Sequence, residues 1–348
     1  MRRLVTSATS RARIAVVGCG GWSQGWHLPN LANRNDATIA ALVDANEQPG
    51  VGGCIPSMCQ TMPALAEKYS APWYRSMDDM LADDSLALDG VLVAVPHGSH
   101  FMMGKTALLA GLHLLMEKPL TADVTEALAL AECARAHPDQ AFLLNNTANW
   151  QEGTIAAFDA VSAGRIGEVK LVNCVFAAPL GWLFEGDEHS SWARPSGTMK
   201  GNGFGWGQFS HTFSWVFKVT GLTPATVYAA CSTSQRTGAD IFDSVTITCT
   251  NGCTINASGV GSCPDRGFKV VGNWLFGTEG MLSYSGLAGS DNVNIDSSAA
   301  ATSSNQRSHL EIWMNDGTHV VGPPVEFEHL DQDGTGPGSM DALVAACR

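Results

Sequence analysis

A glycine-rich turn near the start of the chain has the spacing of a phosphate-binding loop. Gly18, Gly20 and Gly21 directly follow an apolar run, and a helical pattern begins at Trp22. Gly18 allows a tight turn, and Gly20 allows a pyrophosphate to approach backbone N–H groups at a helix N-terminus. Ser23 occupies the third glycine position, where a small side chain still permits close packing of helix on strand. The spacing predicts that these five residues bind a dinucleotide, and a glycine-rich turn without a ligand is the alternative.

A carboxylate stands where such a turn requires one. Asp44 ends the second apolar run, about 20 residues downstream, where an acid accepts hydrogen bonds from the adenosine ribose. A carboxylate there repels a 2′-phosphate, and neighbouring Ala45 and Asn46 provide no arginine to neutralise one. We therefore expect NAD as the cofactor, with NADP less favoured. A simple turn acid is the alternative for Asp44.

Two polar segments each follow a later strand of the predicted sheet. The first contains Pro96, His97 and His100, and the second contains Glu117 and Lys118. The carboxyl ends of parallel strands face the ligand in doubly wound folds, so both segments are predicted to contact the cofactor. Lys118 follows an apolar run, and partial desolvation would lower its pKa toward a range useful for proton transfer. A solvated surface lysine is the alternative.

The elements that must position these residues are predicted from the apolar pattern. Short apolar runs alternate with helical segments from residue 14 to about 145, which is typical of a parallel sheet buried on both faces. After residue 169 the runs are longer, and hairpin signals such as Asn251-Gly252 separate several of them. The predicted fold class is α/β, an N-terminal Rossmann parallel sheet followed by an α+β domain whose largely antiparallel sheet has one open face. The predicted boundaries are a flexible tail over 1–13, a Rossmann domain over 14–145 and a second domain over 146–348.

Composition excludes several classes of protein. The 348 residues are 45% hydrophobic and 15% charged, which indicates a globular chain of two domains. The net charge of -13 makes nucleic acid and anionic membrane poor partners, and no apolar run reaches the ~18 residues of a membrane span. The cysteines are scattered without a Cys-x-x-Cys pair, which favours a reducing, cytoplasmic location. The basic start of the chain keeps organellar targeting open as a weaker alternative, and the helical pattern over 340–348 predicts that the natural protein continues.

Several of these motifs together resemble the Gfo/Idh/MocA family, which is named for glucose-fructose oxidoreductase, inositol dehydrogenase and MocA. The resemblance covers most of the chain. It implies an NAD(P)-dependent oxidoreductase whose motif lysine, here Lys118, contacts both the nicotinamide ribose and the substrate. The motifs that carry it are the turn over 18–23 with His27, Asp44, Pro96 with His100, Glu117-Lys118-Pro119 and the segment 164–169.

The second chemical motif of that family is only partly present. The family has a glycine cluster and then a helix carrying an aspartate and, four residues later, a histidine that serves as acid/base. The histidine is His211, but Gly207 stands at the aspartate position, and Gln208 shares the helical face. Histidine suits the role because its pKa near neutrality lets it accept a hydroxyl proton. A structural histidine is the alternative.

The segment before the glycine cluster is where the resemblance places the substrate pocket. Trp192 could stack on a sugar face, and Arg194 could bind hydroxyls or a carboxylate, although an ordinary surface loop is an equal alternative. Asn149 stands where many relatives have an arginine. His97 and His100 are three residues apart but lack a third ligand at convincing spacing, so no metal is predicted.

Together these observations predict an NAD-dependent dehydrogenase that acts on a hydroxyl of a sugar, cyclitol or related polyol. Lys118 and His211 are its candidate catalytic residues, and Lys118, Trp192, Arg194, Gln208 and His211 its candidate substrate-binding residues. The alternatives are an NAD-dependent glycosidase that uses transient oxidation and elimination, and a non-catalytic NAD-binding regulator. The open sheet face predicts a homodimer or homotetramer.

Overall fold

The N-terminal apolar runs form a six-stranded parallel sheet with the order β3-β2-β1-β4-β5-β6. The computed structural model describes residues 11–50, 59–186, 195–199, 202–263, 269–287, 308–327 and 334–348. The chain reverses its strand order beside β1, which pairs with both β2 and β4, and this is the switch point of a Rossmann sheet. The strands are β1 (Ala12–Val17), β2 (Ala37–Val43), β3 (Trp73–Tyr74), β4 (Gly90–Val93), β5 (His113–Met116) and β6 (Phe142–Leu144).

Helices connect these strands, and side-chain caps define several of their starts. Thr61, Ser76 and Asp123 each accept a hydrogen bond from a backbone N–H of the first helical turn. The helix after the glycine turn begins with a π-helical turn, Ser23–His27. The α-helices are α1 (Leu28–Ala32), α2 (Met62–Tyr69), α3 (Met77–Leu81), α4 (His100–Leu109) and α5 (Val124–Ala136).

The second part of the chain forms an eight-stranded sheet with the order β14-β13-β12-β11-β7-β10-β9-β8. Only β7 and β10 pair in parallel among these described strands, and the other pairs are antiparallel. Along β10, Ile255 and Ala257 are buried whereas Asn256 and Ser258 are exposed, so one sheet face is covered and the other is open. The strands are β7 (Val169–Ala177), β8 (Pro224–Thr233), β9 (Asp240–Cys249), β10 (Thr254–Val260), β11 (Val270–Gly277), β12 (Gly280–Leu287), β13 (His309–Met314) and β14 (His319–Pro324).

Two helices, the one that contains Thr154 and the one that contains Trp215, pack against the inner face of this second sheet. Trp215 links them to the sheet, since its indole N–H donates to the Thr154 hydroxyl and its ring lies 4.9 Å from that of Tyr284. The helices of this unit are α6 (Glu152–Ser162), α7 (Gly181–Phe184), α8 (Phe204–Gly207) and α9 (Phe209–Thr220).

The last helix, α10 (Gly338–Ala346), belongs to the first unit rather than to the second. Met340, Leu343 and Val344 are buried in the same apolar cluster as the strand residues Ile14 and Val16. The two units are therefore 1–145 with 331–348, and 146–330, whereas the sequence placed everything from 146 to 348 in the second domain. The apolar pattern shows that a helix forms here but does not show which sheet it covers.

The fold class predicted from the sequence is confirmed, with local differences. β1 begins at Ala12, so the end of the proposed tail is part of the sheet. β3 and β14 were not predicted, because a two-residue strand has no period and β14 contains glycine and two prolines.

Candidate functional site

The glycine turn of the first unit has the geometry expected of a dinucleotide-binding loop. Gly18 has φ +86°, and a Cβ there would lie 2.5 Å from the Ala94 carbonyl oxygen, so only glycine fits. At Gly20 the nearest described atom to an added Cβ is the Cα of Gly50 at 3.9 Å, so packing within the chain does not require glycine. Ser23 is buried, and its hydroxyl donates to the Gly18 carbonyl, which closes the turn.

The Asp44 carboxylate is fixed at the end of β2 beside this turn. One oxygen accepts a hydrogen bond from the Cys19 N–H at 3.0 Å, and the other accepts from the Asn46 N–H at 3.0 Å. The side chain is half-buried, which leaves part of the carboxylate accessible. An oriented acceptor beside an open glycine turn fits the adenosine ribose and pyrophosphate of a dinucleotide.

Sequence reasoning missed an arginine close to this position. Arg75 follows β3, and its guanidinium donates to the Ala45 carbonyl at 3.1 Å and stacks over the Trp73 ring at 4.8 Å. The Trp73 indole in turn donates to the Asp44 carbonyl. The loop after β2 offers no arginine in sequence, but the neighbouring strand brings one to it.

Glu117 accepts an unusual number of hydrogen bonds at one oxygen. Its Oε1 accepts from Trp22 Nε1 at 2.9 Å, His27 Nε2 at 2.8 Å and Asn145 Nδ2 at 2.8 Å. Its Oε2 accepts from the backbone N–H of Lys118 at 3.1 Å. The carboxylate therefore connects the helix after the glycine turn with the turn that carries Lys118.

These donors keep the Glu117 carboxylate ionised although it is buried. Burial alone would raise its pKa, but the hydrogen bond and charge of His27, the charge of Lys118 and the Asn145 amide outweigh burial and lower the pKa to about 2. Sequence reasoning assigned Glu117 and Trp22 to the cofactor. In the structure the Trp22 indole donates to Glu117, and His27 and Asn145 are further donors to the same carboxylate.

The segment after β4 is held against the lysine turn by a histidine. His100 is fully buried, with Nδ1 2.7 Å from the Pro119 carbonyl and Nε2 3.0 Å from the Val95 carbonyl. Burial lowers the pKa of His100, and the two carbonyls offset part of that shift. Pro96 is exposed and His97 is buried at the start of the helical turn. His100 thus ties two loops together through the backbone.

Lys118 lies at the carboxyl end of β5 with a fixed backbone and a half-buried side chain. The Lys118–Pro119 peptide bond is cis. The lysine backbone is therefore positioned by the ionised Glu117 on one side and by His100 through Pro119 on the other.

The second unit contains the candidate acid/base histidine. His211 lies in the first turn of α9, is 3% exposed and packs among aromatic rings, with centroids 6.4 Å from Phe176 and 6.1 Å from Phe327. Gln208 precedes the helix and is also buried. Within the described ranges no atom lies within 4 Å of a Cβ added at Gly207, so the position of the family aspartate is open space. Trp192 and Arg194 lie outside the described residues.

A pair of acids that the sequence analysis did not select lies beside the glycine cluster. Asp240 of β9 accepts a hydrogen bond from the Gly205 N–H, and a Cβ at Gly203 would overlap its carboxylate. Asp243 lies next to Asp240, and burial, the Asp240 charge and a hydrogen bond between the two raise the pKa of Asp243 to about 7. A strand acid with no motif around it gives no sequence signal.

Comparison with known proteins matches both units. The Gfo/Idh/MocA model of an oxidoreductase family with an NAD-binding Rossmann fold matches residues 12–144, and the GFO/IDH/MocA C-terminal domain matches residues 154–283. The chain belongs to the Gfo/Idh/MocA family. The predicted resemblance and the NAD-binding Rossmann fold are thereby confirmed.

Individual curated relatives match over parts of their length. An uncharacterized oxidoreductase of Synechocystis sp. is 26% identical over 212 residues, which are 59% of this chain and 51% of that protein. The inositol 2-dehydrogenase of Corynebacterium glutamicum is 32% identical over 121 residues, which are 34% of this chain and 32% of that protein. The chain thus spans about half or less of the length of these curated relatives.

Solved structures share the fold over nearly the whole chain. The aldose-aldose oxidoreductase of Caulobacter crescentus has a TM-score of 0.66 and 19% identity, and covers 96% of this chain and 89% of its own. The myo-inositol 2-dehydrogenase of Lactobacillus plantarum has a TM-score of 0.68 and 16% identity, and covers 97% and 88%. At these identities the comparison shows the fold.

Two further observations concern membrane-spanning helices and metal ligands. Over the ranges that the structure describes, no helix is both long and apolar enough to cross a bilayer. In the same ranges, no group of three or more His, Cys, Asp or Glu side chains could hold a metal ion.

Proposed function

We propose that this chain is an NAD-dependent dehydrogenase that moves a hydride between nicotinamide and a hydroxyl-bearing carbon of a sugar, cyclitol or related polyol. The observation that carries the proposal is the Glu117 carboxylate, which joins the helix of a dinucleotide turn to the backbone N–H of Lys118. An ionised group buried at that junction fixes a lysine at the sheet edge where doubly wound folds bind their ligands.

The cofactor residues follow from the turn and its neighbours. Gly18, Gly20, Gly21, Trp22 and Ser23 would hold the pyrophosphate, because the turn leaves room in front of Gly20 and begins a helix. Asp44 would accept hydrogen bonds from the adenosine ribose. The loop after β4 would flank the cofactor through Pro96 and His97, while His100 holds that loop in place.

The chemistry needs a group that orients the alcohol and a group that takes its proton. Nicotinamide, when bound, supplies the hydride acceptor. Lys118 would bind the substrate oxygen through its ammonium, and His211 would take the hydroxyl proton as the carbon loses its hydride. Gln208, buried beside the start of α9, would hydrogen-bond a further substrate hydroxyl.

The exposed apolar residues of the second sheet support a homodimer or homotetramer. Tyr228 on β8 is 73% exposed and Phe242 on β9 is 44% exposed, and both lie on the same sheet face as the exposed Thr246. A second copy covering this face would remove them from water. Light scattering coupled to size exclusion tests this, and a monomer at micromolar concentration would contradict it.

The decisive experiment is a panel of sugars, inositols and glycosides with NAD and NADP, read by NADH absorbance. Net NADH formation supports the dehydrogenase, whereas glycoside cleavage without net NADH supports a glycosidase. On any active substrate, Lys118→Ala and His211→Ala should each lower kcat at least about a hundredfold. The exposed residues Lys105 and His309 provide the matched controls Lys105→Ala and His309→Ala. Unchanged turnover in the two site variants would overturn the assignment.

Cofactor choice is tested at the adenosine end. Asp44→Asn keeps an acceptor for the Cys19 N–H but removes the charge, so kcat/KM with NADP should rise about tenfold. Arg75→Ala in that background should remove the gain, because Arg75 is the cation next to the Asp44 loop. If wild-type protein prefers NADP, the proposed preference is wrong.

A further inference from the structure

The C-terminal helix α10 brings one polar side chain into the interior of the first unit. Ser339 lies in the first helical turn and is fully buried, although the helix otherwise contributes apolar residues to the core. The helix is also tied to the unit at its surface, where Asp341 lies 2.6 Å from the guanidinium of the buried Arg34. The buried hydroxyl of Ser339 is therefore not needed to attach the helix.

That hydroxyl continues the hydrogen-bond network of Glu117. The Ser339 Oγ lies 2.6 Å from Asn145 Oδ1, and the Asn145 amide nitrogen lies 2.8 Å from Glu117 Oε1. The direction of each bond is fixed by chemistry. An ionised carboxylate only accepts, so Asn145 must turn its NH2 toward Glu117, and its carbonyl oxygen then faces a hydroxyl that must donate.

We propose that Ser339 and Asn145 are positioning residues, through which the C-terminal helix orients the Glu117 carboxylate and thereby sets the backbone of Lys118. The inference rests on the function proposed above for Lys118. Ser339 fixes the orientation of the Asn145 amide, Asn145 is one of three side-chain donors to Glu117 Oε1, and Glu117 Oε2 accepts from the Lys118 N–H. Ser339 is fully buried and is assigned its effect through Asn145.

Loss of the Ser339 hydroxyl has a defined consequence. Asn145 Oδ1 is then buried without its donor, and the amide can rotate away from Glu117 to find another partner. Glu117 Oε1 then keeps its hydrogen bonds from Trp22 and His27 but loses the one from Asn145. A carboxylate with fewer donors is held less firmly, so the Lys118 N–H that it accepts from is less well positioned and kcat falls.

The test compares Ser339→Ala with Ser339→Thr, which restores a hydroxyl, and with Val344→Ala, which removes core contacts of the same helix without touching the network. Ser339→Ala should lower kcat about tenfold, equivalent to about 1.4 kcal/mol in the activation barrier, with KM for NAD changed less than about twofold. Ser339→Thr should recover most of kcat. Val344→Ala should lower Tm while kcat and its pH profile stay as in the wild type.

A double-mutant cycle shows whether Ser339 acts on Glu117 through Asn145. If Ser339 acts through Asn145, then adding Ser339→Ala to Asn145→Ala lowers kcat no further. Additive losses, or a Ser339→Ala variant that resembles Val344→Ala in losing Tm alone, would overturn the proposal. Lys118→Ala measured alongside separates the two ideas. An inactive Lys118→Ala with an unaffected Ser339→Ala refutes only this inference, whereas an active Lys118→Ala refutes the assigned role of Lys118.

Discussion

The turn at Gly18–Gly20 and the turn at Gly203–Gly205 both place glycines beside a carboxylate, but the glycines are needed for different reasons. In the first turn, Gly18 is required by a positive φ and a close carbonyl, and Asp44 accepts from the turn. Among the described residues, a Cβ at Gly20 would have only an ordinary contact with Gly50 Cα, at 3.9 Å. In the second turn, Gly203 and Gly205 make room for the chain's own Asp240 carboxylate. A glycine cluster thus indicates close approach but does not say whether a ligand or a side chain approaches.

The buried acids of the two regions titrate in opposite directions. Glu117 is surrounded by donors, which lower its pKa to about 2 despite burial. Asp243 has Asp240 as its neighbour, and burial together with that negative charge raises its pKa to about 7. Glu117 in the first region is therefore stabilised as an ionised carboxylate, whereas Asp243 in the second region keeps its proton up to about pH 7.

The largest effect is expected from a substitution at Gly18, in the first turn. Gly18→Ala should destabilise the first unit by about 3 kcal/mol or more, because the left-handed φ and the contact with the Ala94 carbonyl both penalise a Cβ. Gly20→Ala is the matched variant. It should leave Tm within about 2 °C of the wild type yet weaken NADH binding at least about tenfold. Thermal unfolding and NADH fluorescence titration measure the two effects, and equal loss of Tm in both variants would contradict the comparison.

The next largest effect is expected when the charge of Glu117 in the first region is removed. Because the folded pKa of Glu117 lies below its unfolded value, the carboxylate contributes stability above about pH 4.5 that is lost as pH falls toward about 2. Glu117→Gln should therefore destabilise the unit by about 2–3 kcal/mol at pH 7 and less at pH 3. Tm measured across this range tests the prediction, with the exposed Glu67→Gln as control. A difference that does not change with pH would show that the charge is irrelevant.

A smaller effect is expected at the second turn. Gly203→Ala should destabilise the second unit by about 1–3 kcal/mol, because the new methyl group displaces the Asp240 carboxylate from the Gly205 N–H. Combined with Asp240→Ala, the loss should be less than the sum of the single losses. Chemical unfolding of the four proteins gives the coupling, and strict additivity would mean that the two residues do not compete for space.

The smallest effect concerns the proton shared in the second region. The folded pKa of Asp243 is raised, so stability present below about pH 4 is lost as pH rises through about 7. Asp243→Asn mimics the protonated acid and should raise Tm by about 2–4 °C at pH 8 while leaving it unchanged near pH 4. Differential scanning calorimetry at both pH values tests this, and a lower Tm at pH 8 would reverse the assignment.

The sequence predicted the elements and residues whose neighbours are close in the chain. Gly18, Asp44 and Lys118 could be selected as candidates because each follows an apolar strand, and a parallel sheet brings strand ends to one edge. Arg75 was missed because only the pairing of β2 with β3 brings it to Ala45. Ser339 was missed for the same physical reason, since 194 residues separate it from Asn145. Asp240 and Asp243 could not be predicted as neighbours of the glycine cluster, because only the packing of β9 against that cluster brings them together.

The return of α10 to the first sheet also constrains the order in which the protein can form during synthesis. A ribosome releases residues 11–145 long before Met340, Leu343 and Val344, which complete the core of that same unit. The intervening unit, 146–330, can begin to fold while the earlier one still has an uncovered apolar surface. The core of the dinucleotide-binding unit is therefore completed only after α10 has been synthesised.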